Sequence, residues 1–420
     1  MIKMIVKEKI KTKSTQRENP MNTIVQKYGG TSMGTIDRIK NVARRIIAKK
    51  EQGNRMVVVV SAMGKSTDQL VAMAYAINDK PPKREMDMLL ATGEQVSISM
   101  LSMALAEMGQ KAISFTGPQV GIKTEGVHGR ARIMDIDTTK ITQALADDSV
   151  VIVAGFQGVN ENDDITTLGR GGSDTSAVAL SCVLHCPCEI YTDVDGIYGV
   201  DPRLYPPAKK LDVVSYDEML EMASLGAGVM HTRSIELGRK YNADITVASS
   251  IHDVPGTLIT ASAAAAQKPI TGMAVYNDEM MVSIKNVPYD VNISARLFSA
   301  LAAAGINVDM ISQTSPIADR MHISFSASHD DIDALEKALA KFQAAYPQTA
   351  VDLREDAVKM SVVGSGMKAH PGVASKFFRL LSAQHFPILM VTTSDIRISC
   401  MIPAEARERA VMAVADGFEL

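Results

Sequence analysis

The sequence is poor in the features that mark membrane, secreted and nucleic-acid-binding proteins. No stretch approaches the roughly 18 consecutive apolar residues of a membrane span. Residues 1–20 are rich in lysine but contain no apolar segment of the kind that a signal peptide needs. The net charge of −3 at pH 7 gives no electrostatic basis for binding nucleic acid or anionic lipid. We expect a cytoplasmic protein with no membrane or nucleic-acid partner, whose ligands are small metabolites.

The chain has only four cysteines, three of which lie close together in the sequence. Cys182, Cys186 and Cys188, with His185 between them, could suggest a metal cluster. They occur where an alanine-rich helical pattern runs into a strand, and free cysteine in such a place behaves as a small hydrophobic residue. We expect a reducing compartment and no metal held by these side chains.

Short apolar runs alternate with longer helical patterns over residues 21–256. The run at residues 56–60 is continuously apolar, which is typical of a strand buried on both faces of a parallel sheet. A chain of 420 residues exceeds the usual size of one core, so two or three domains are expected. We predict a disordered extension at residues 1–20, then a layered α/β domain with a mainly parallel central sheet over residues 21–260.

A low-complexity stretch at residues 261–269 interrupts this pattern and indicates a domain boundary. Beyond it, segments 282–284, 296–298 and 305–315 are echoed by segments 361–363, 376–378 and 385–394. Each copy predicts a ferredoxin-like α+β module and resembles the ACT module of amino-acid-regulated enzymes. We predict the first ACT domain at residues 271–350 and the second at 356–420. Two ferredoxin-like folds without a ligand remain the alternative.

The run TTLGRGGSDTS at residues 166–176 combines three glycines, an arginine, several hydroxyls and a carboxylate between a strand pattern and a helix pattern. Glycines allow backbone N–H groups to approach an anion closely, and the following helix presents its positive N-terminal end. Arg170 could grip a carboxylate or phosphate through two parallel hydrogen bonds. The run therefore predicts a cradle for a phosphate or an anionic substrate.

A second glycine turn, KYGGTS at residues 27–32, also lies between a strand pattern and a helix pattern. Lys27 would neutralise charge on a transferred phosphoryl group, with the amides of Gly29 and Gly30 as further donors. The alternative for Lys27 is a solvated lysine at a strand end. Two such turns together favour phosphoryl transfer between two bound molecules.

Five motifs in register resemble those of the aspartokinases, within the amino acid kinase family. They are KYGGTS at 27–32, SAMG at 61–64, REMDMLLATGE at 84–94, TTLGRGGSDTS at 166–176 and YTDVDGIY at 191–198. The resemblance runs from about residue 21 to the end of the chain. It implies transfer of the γ-phosphoryl group of ATP, with Mg²⁺, to L-aspartate, which gives ADP and 4-phospho-L-aspartate. In this family the reaction leads to lysine, through diaminopimelate, and to threonine and methionine.

The resemblance also assigns roles around the substrate. Arg170 would hold the α-carboxylate of aspartate and Glu94 its α-amino group, which leaves the side-chain carboxylate directed at ATP. Asp174 would orient Lys27, although it could be a simple acidic residue at a helix N-terminus. Glu94 could instead be an exposed helix residue. Three hydroxyl residues, which could also be plain caps, match positions that contact aspartate: Ser61, Thr67 and Ser173.

No general base is expected, because the acceptor carboxylate is ionised at neutral pH and is already a nucleophile. The resemblance places the nucleotide on the loop that follows the strand pattern at residues 189–192. The implied contacts with ATP, besides Lys27, are Thr192, Asp193, Tyr198, Asp201, Arg203 and Lys210. A plain cluster of turns is the alternative for this loop. Many relatives carry lysine where this chain has Gly228, which puts one nucleotide contact in doubt.

Paired ACT modules imply regulation by amino acids. The positions that resemble effector sites are Asn307, Asp309, Gln313, Ile388, Thr392 and Thr393. We expect lysine, with or without threonine, to bind there and to bias a two-state equilibrium, and we expect a homodimer or larger homo-oligomer. The first copy lacks the Pro-Gly that the second has at Pro371 and Gly372, so the effector there is open.

Two other functions remain open. The glycine turns are shared with kinases for glutamate, N-acetylglutamate or UMP, although the segment at residues 86–94 and the ACT pair favour aspartate. The chain could also be a non-catalytic amino-acid sensor that keeps a nucleotide fold for assembly. The presence of Lys27, Arg170 and Asp174 argues against a sensor, since a chain that had lost catalysis would be expected to lose at least one of them.

Overall fold

The computed structural model describes residues 22–225, 228–261 and 268–420. The chain divides into two compact units. The first holds the described residues up to Asp193 together with Ala243–Ile245, and the second holds Val194–Asn242 together with Thr246–Leu420. The predicted extension at 1–20 and most of the low-complexity boundary lie outside the described residues.

The first unit alternates strands and helices, as the pattern predicts. Its strands are β1 Thr23–Tyr28, β2 Arg55–Val60, β3 Ala112–Phe115, β4 Ile122–Glu125, β5 Arg132–Ile136, β6 Val150–Ala154, β7 Gln157–Val159, β8 Ile165–Thr167 and β9 Cys188–Thr192. Its helices are α1 Ile36–Glu51, α2 Ser66–Ile77, α3 Lys83–Leu90, α4 Thr92–Glu107, α5 Thr139–Ala146 and α6 Gly172–Leu184.

The core of the first unit is a parallel sheet with strand order β9-β1-β2-β6-β3. Every residue of β6, and every residue of β2 except Arg55, is buried, because helices cover both faces of the sheet. This confirms the predicted layered α/β domain with a mainly parallel sheet. The carboxyl ends of β1, β2, β6 and β9 lie at one edge, which is where ligands bind in such folds.

A smaller sheet, with strand order β5-β4-β7-β8, belongs to the same unit. A buried hydrogen bond of 2.6 Å joins the hydroxyls of Thr124 on β4 and Thr166 on β8. The backbone N–H of Ala131, just before β5, donates to the carbonyl of Thr167 at 3.0 Å. The strand that leads into the TTLGRGGSDTS run is therefore fixed within this small sheet.

The segment Lys83–Glu107, which contains α3 and α4, is long and apolar enough to cross a membrane by length and composition alone. The prediction that no stretch approaches a membrane span therefore needs correction on composition. Buried core helices of soluble proteins pass the same test, and 44% of the apolar window is buried inside the protein. The segment also carries the buried carboxylates of Asp87 and Glu94.

The second unit is richer in strands. Its strands are β10 Val213–Ser215, β11 Ile245–Ser249, β12 Thr257–Thr260, β13 Gly272–Tyr276, β14 Glu279–Pro288, β15 Val308–Gln313, β16 Arg320–Ser328, β17 Ala350–Arg354, β18 Ala357–Val363, β19 Met390–Thr393 and β20 Arg397–Pro403. Its helices are α7 Tyr216–Ser224, α8 Thr232–Tyr241, α9 Ile293–Ala303, α10 Ile332–Ala345, α11 Val373–Ser382 and α12 Arg407–Phe418.

Two four-stranded antiparallel sheets, each with two helices, form the predicted pair of α+β modules. Their strand orders, β15-β16-β14-β17 and β19-β20-β18-β13, are equivalent. The prediction assigned residues 271–350 to the first module, but β13 pairs with β18 of the second sheet. The second copy supplies only three strands of its own sheet, β18, β19 and β20. Strand β13, which precedes the first copy in the chain, is the fourth strand of that sheet.

The two modules pack against each other within one chain. Met281 and Met310 of the first module share a buried cluster with Met390 and Met401 of the second. Beside this cluster, the buried ammonium of Lys359 on β18 pairs with the carboxylates of Glu279 and Asp309. Breaking such a buried pair leaves an uncompensated charge, so the ion cluster fixes one alignment of the two sheets.

Glu218 on α7 connects this helix to the second module. It is fully buried, and its Oε1 accepts hydrogen bonds from Thr271 Oγ1 at 2.6 Å and from the backbone N–H and hydroxyl of Ser365, both at 2.9 Å. Its Oε2 accepts from the backbone N–H and hydroxyl of Ser215, which forms a capping box at the start of α7. One carboxylate therefore joins α7 to one end of the β13–β18 pair, where β13 begins and β18 ends.

Candidate active site

Two turns meet at the carboxyl edge of the parallel sheet in the first unit. The N–H of Gly64, after β2, donates to the carbonyl of Gly30, after β1, at 2.9 Å. A Cβ at Gly30 would lie 2.8 Å from the carbonyl oxygen of Ala62, closer than real Cβ contacts allow. Glycine is therefore required at residue 30 for the two turns to approach.

Lys27 and Asp174 form an ion pair at this edge. Lys27 is on β1 and Asp174 in the first turn of α6, and Lys27 Nζ lies 2.7 Å from Asp174 Oδ1. Their side chains are only 11% and 12% exposed. Lys27 is therefore not a solvated lysine at a strand end, and Asp174 does more than complement the helix dipole. A Cβ at Gly29 would lie 3.5 Å from Lys27 Nζ, which places the ammonium beside the glycine turn.

Glu94 is buried, with 3% of its surface exposed, so it is not the exposed helix residue that the sequence left open. Its Oε1 accepts a hydrogen bond of 3.1 Å from the backbone N–H of Ala62. Its Oε2 is buried and has no hydrogen-bond partner among the described residues. Burial raises the pKa of Glu94 to about 7, and the bond from Ala62 opposes part of that rise. A cationic donor would satisfy the unpaired oxygen.

Arg170 is exposed on the loop between β8 and α6, and it has no ion-pair or hydrogen-bond partner among the described residues. Three residues later, Ser173 lies in the first turn of α6 and is buried. A Cβ at Gly155, just after β6, would lie 2.8 Å from Ser173 Oγ, so the start of α6 packs directly on the end of β6. The unit therefore offers a free guanidinium on the same loop that leads to the Lys27–Asp174 pair.

Ser61 and Thr67 lie on either side of the second turn. The N–H of Ser61 donates to the carbonyl of Tyr28 at 3.1 Å, which ties the end of β2 to the end of β1. Thr67 is in the first turn of α2, and both residues are half-buried. The structure therefore brings Ser61, Thr67, Lys27 and Glu94 to one edge of the sheet.

Thr192 and Asp193, which the sequence assigns to the nucleotide, end the first unit. Thr192 Oγ1 donates to the carboxylate of Asp193 at 3.0 Å, and Asp193 is exposed.

The remaining predicted nucleotide contacts lie on the loop that opens the second unit. Tyr198 and Lys210 form an antiparallel bridge, and the N–H of Met273 donates to the carbonyl of Gly199 at 2.7 Å. Arg203 pairs with Asp201 at 2.7 Å, with its side chain 89% exposed. Such an exposed pair is weak, so both groups remain available to a ligand.

The predicted effector residues lie on or beside β15 and β19 of the two modules. Asn307 and Gln313 are exposed, and Gln313 Oε1 accepts a hydrogen bond of 2.9 Å from Ser294 Oγ. Asp309 is engaged by Lys359. The hydroxyl oxygen of Thr392 is buried without a partner among the described residues. Thr393 is exposed and Ile388 is half-buried.

The three clustered cysteines are free thiols. Burial raises the pKa of Cys182 to about 11 and that of Cys186 to about 12, so both thiols are neutral at physiological pH. In the described part of the chain, no group of three or more histidine, cysteine, aspartate or glutamate residues could hold a metal ion. The side chains of the described residues therefore offer no dedicated metal cage.

A nearly buried lysine–carboxylate pair beside two glycine turns, at the ligand-binding edge of a parallel sheet, is typical of a phosphotransferase of α/β fold. Comparison with known proteins agrees. The model of the amino acid kinase family matches residues 22–249, and that of the ACT domain matches residues 282–341 and 360–418.

Among curated proteins, the chain is 48% identical to aspartokinase 2 of Bacillus subtilis over 95% of this chain and 98% of that one. It is 45% identical to an aspartokinase of Thermus thermophilus over 95% of this chain and 99% of that one. The chain therefore belongs to the aspartokinases of the amino acid kinase family, and it is an ATP-dependent phosphotransferase with a carboxyl group as acceptor.

Solved structures give the same result. A structure of aspartate kinase from Synechocystis is 40% identical, with a TM-score of 0.53, over 95% of this chain and 69% of that one. A structure of E. coli aspartokinase III in complex with aspartate and ADP is 24% identical, with a TM-score of 0.78, over 95% of this chain and all of that one. The second shares the fold.

Proposed function

We propose that the enzyme transfers the γ-phosphoryl group of ATP to the β-carboxylate of L-aspartate and so makes 4-phospho-L-aspartate. The observation that carries this proposal is the set of complementary charges on the first unit. Arg170 offers a free cation for an α-carboxylate, and the unpaired, buried oxygen of Glu94 suits an α-ammonium group. An amino acid held at both ends has only its side chain left to react.

The transfer needs positioning and charge stabilisation more than covalent help from the protein. An oxygen of the β-carboxylate attacks the γ-phosphorus, and a new O–P bond forms. The bond from the γ-phosphorus to the oxygen bridging to the β-phosphorus breaks, and its electron pair leaves with ADP. Lys27 stabilises the charge on the transferred group, and Asp174 holds Lys27 in place. No proton has to be removed, because aspartate is already ionised.

The assigned contacts with ATP stay predictions for each unit by itself: Lys27, Thr192 and Asp193 on the first unit, and Tyr198, Asp201, Arg203 and Lys210 on the second. Mg²⁺ usually stays bound through phosphates and water in kinases. When bound, the ion would neutralise phosphate charge.

The test is ADP release by the purified chain with MgATP and, in turn, aspartate, glutamate, N-acetylglutamate and UMP. The proposal expects turnover with aspartate alone. Turnover with another acceptor would assign that acceptor as the substrate in place of aspartate. Folded protein that phosphorylates none of the four would support the amino-acid sensor instead.

The titration of Glu94 gives a pH prediction. A neutral carboxyl cannot pair with an ammonium group, and the pKa of Glu94 is raised to about 7 by burial. As pH falls below 7, more of the free enzyme carries protonated Glu94, so kcat/KM for aspartate should fall, approaching tenfold per pH unit. The β-carboxylate of aspartate, with a pKa near 4, stays ionised down to about pH 5.5. Initial rates at saturating MgATP between pH 5.5 and 8.5 measure this.

The matched control is Glu94→Gln, which keeps the size of the side chain and removes its titration. Its KM for aspartate should be high, and its kcat/KM should vary little with pH over the same range. If the variant keeps the full pH dependence of the wild type, Glu94 is not the titrating group.

We propose, second, that lysine or threonine inhibits the enzyme by binding between the two ACT modules. Met310 on β15 and Met390 on β19 share one buried cluster, which supports a site that draws on both strands. The buried, unpartnered hydroxyl of Thr392 could bind a polar ligand. An ammonium group placed at Asp309 would compete with Lys359, which gives the effector a way to change how the two modules are held together.

Gln313→Ala should therefore raise the concentration of lysine or threonine that gives half-maximal inhibition by about fivefold or more, because loss of one hydrogen bond to the effector costs on the order of 1 kcal/mol. Inhibition curves for each amino acid at fixed aspartate and MgATP measure it. Gln348→Ala, another exposed glutamine of the same module, is the control. Unaltered inhibition by every amino acid tested would count against this site.

Four further assignments remain predictions. They are a kinase domain over 21–260 with ACT domains at 271–350 and 356–420, a homodimer or larger homo-oligomer, a cytoplasmic location, and a role as the first step towards lysine, threonine and methionine. Fractionation and light scattering address location and oligomeric state, and growth of a deletion strain on each amino acid addresses the pathway.

A further inference from the structure

Asp87 on α3 has a carboxylate that the proposed mechanism does not use. It is only 1% exposed, and its Oδ1 accepts a hydrogen bond of 2.6 Å from Thr167 Oγ1. Its Oδ2 accepts from the backbone N–H of Gly129 at 3.0 Å and lies 2.8 Å from His128 Nδ1. A carboxylate is costly to bury unless its oxygens are satisfied. These contacts satisfy both oxygens and join three separate segments: α3, the β4–β5 turn and the end of β8.

The contact with Thr167 lies at the base of the loop that carries Arg170. Beyond Thr167 the chain turns at Gly169, whose φ is +79°. A Cβ at Gly169 would lie 2.9 Å from the carbonyl oxygen of Gly129, so the β4–β5 turn lies directly against this loop. Asp87 therefore holds both the start of the Arg170 loop and the turn on which that loop rests.

Asp87 is also connected to Glu94 along the chain, because α3, which carries Asp87, leads directly into α4, which carries Glu94. Asp87 precedes Glu94 by about two helical turns. The junction between α3 and α4 is itself fixed, because Gln157 Nε2 donates to the carbonyl of Ala91 at 2.9 Å in a buried position. A displacement of α3 relative to β8 would therefore change the separation between Glu94 and Arg170.

We propose that Asp87 is a positioning residue that sets the separation between the group binding the α-ammonium and the group binding the α-carboxylate of the amino-acid substrate. The inference rests on the proposed function, since it takes Glu94 and Arg170 as the two substrate contacts. Asp87 does not touch the substrate. It acts through Thr167 on the Arg170 loop and through its own helix on Glu94.

Thr167→Val and Thr167→Ser form a matched pair that tests this. Valine has the shape of threonine but cannot donate to Asp87, whereas serine keeps the hydroxyl. We expect Thr167→Val to raise KM for aspartate about tenfold and to change KM for ATP by less than twofold. We expect Thr167→Ser to restore most of the affinity for aspartate. Asp87→Asn should give the same selective rise, and Thr167→Val covers the case in which Asp87→Asn fails to fold.

A purely structural role would act differently. Loss of folded protein alone would lower the apparent kcat and leave both KM values unchanged, whereas a general distortion of the active site would raise the KM values for aspartate and ATP together. The control on the same helix is Glu85→Gln, because Glu85 is an exposed acid that pairs with Arg84, and it should behave as wild type. The inference is overturned if the Thr167→Val enzyme has the wild-type KM for aspartate, or if the substitution raises the KM values for aspartate and ATP equally. Wild-type protein that does not phosphorylate aspartate would overturn the proposed function, and this inference with it.

Discussion

Lys27→Met should lower kcat by about 10³-fold while changing KM for aspartate by less than threefold. A preorganised donor aimed at the charge of the transition state is typically worth 10² to 10³ in rate, and the ammonium of Lys27 carries a full charge into a nearly buried position. Arg170 and Glu94 still bind the substrate in this variant, so binding of aspartate should survive. Steady-state ADP release with aspartate and MgATP varied separately gives both constants.

Lys49→Met is the control for Lys27. Lys49 lies outside the site on α1, and its ammonium pairs with Glu189 at 2.7 Å with the side chain 28% exposed. Removing it should change kcat by less than twofold. Asp174→Asn should also lower kcat, since Lys27 would lose the carboxylate that holds it. A Lys27→Met enzyme with kcat within tenfold of the wild type would show that another group stabilises the transferred phosphoryl.

Arg170→Lys should raise KM for aspartate by about 100-fold even though the positive charge is kept. Guanidinium can bind a carboxylate through two parallel hydrogen bonds, whereas ammonium acts as a point charge. The loss of one hydrogen bond to a charged group costs about 1.5–3 kcal/mol, which corresponds to between tenfold and somewhat over 100-fold in affinity. Aspartate saturation curves at fixed MgATP measure the shift.

The control for Arg170 is Arg239→Lys, which makes the same chemical change at an exposed arginine paired with Asp217 on the surface. It should leave KM for aspartate unchanged. If Arg170→Lys also binds aspartate normally, the α-carboxylate is held elsewhere, and the charge pattern on which the proposed function rests would need another explanation.

The architecture of the first unit could be predicted from the sequence because strands buried in a parallel sheet are continuous runs of apolar residues. Residues 56–60 are continuously apolar, and the strand they form is covered on both faces. The pairing of β13 with β18 has no comparable signal in the sequence. The sequence of Gly272–Tyr276 is compatible with a strand in either module. Its pairing with β18 depends on the second module, which lacks a fourth strand of its own. Propensity describes a strand and does not identify its partner.

Candidate site residues could be named from the sequence where polar and glycine residues are concentrated in short motifs, and buried acids of the same unit could not. Lys27, Gly30 and Asp174 stand in glycine-rich turns that the sequence makes conspicuous. Asp87 and Glu218 look like ordinary helical acids, and only the folded chain shows that each is buried and satisfied by donors from distant segments. Long-range hydrogen bonds of this kind have no local sequence pattern, so the residues that make them are recognised only in the folded structure.

The identity of the product tests transfer to the β-carboxylate most directly. An acyl phosphate reacts with hydroxylamine, so enzyme, MgATP, aspartate and hydroxylamine together should yield aspartate β-hydroxamate, identified by chromatography against the α and β isomers. We expect the β isomer alone, in amounts equal to the ADP released, and its formation about 10³-fold more slowly with the Lys27→Met enzyme. ADP release without hydroxamate, or the α isomer as the product, would contradict transfer to the β-carboxylate.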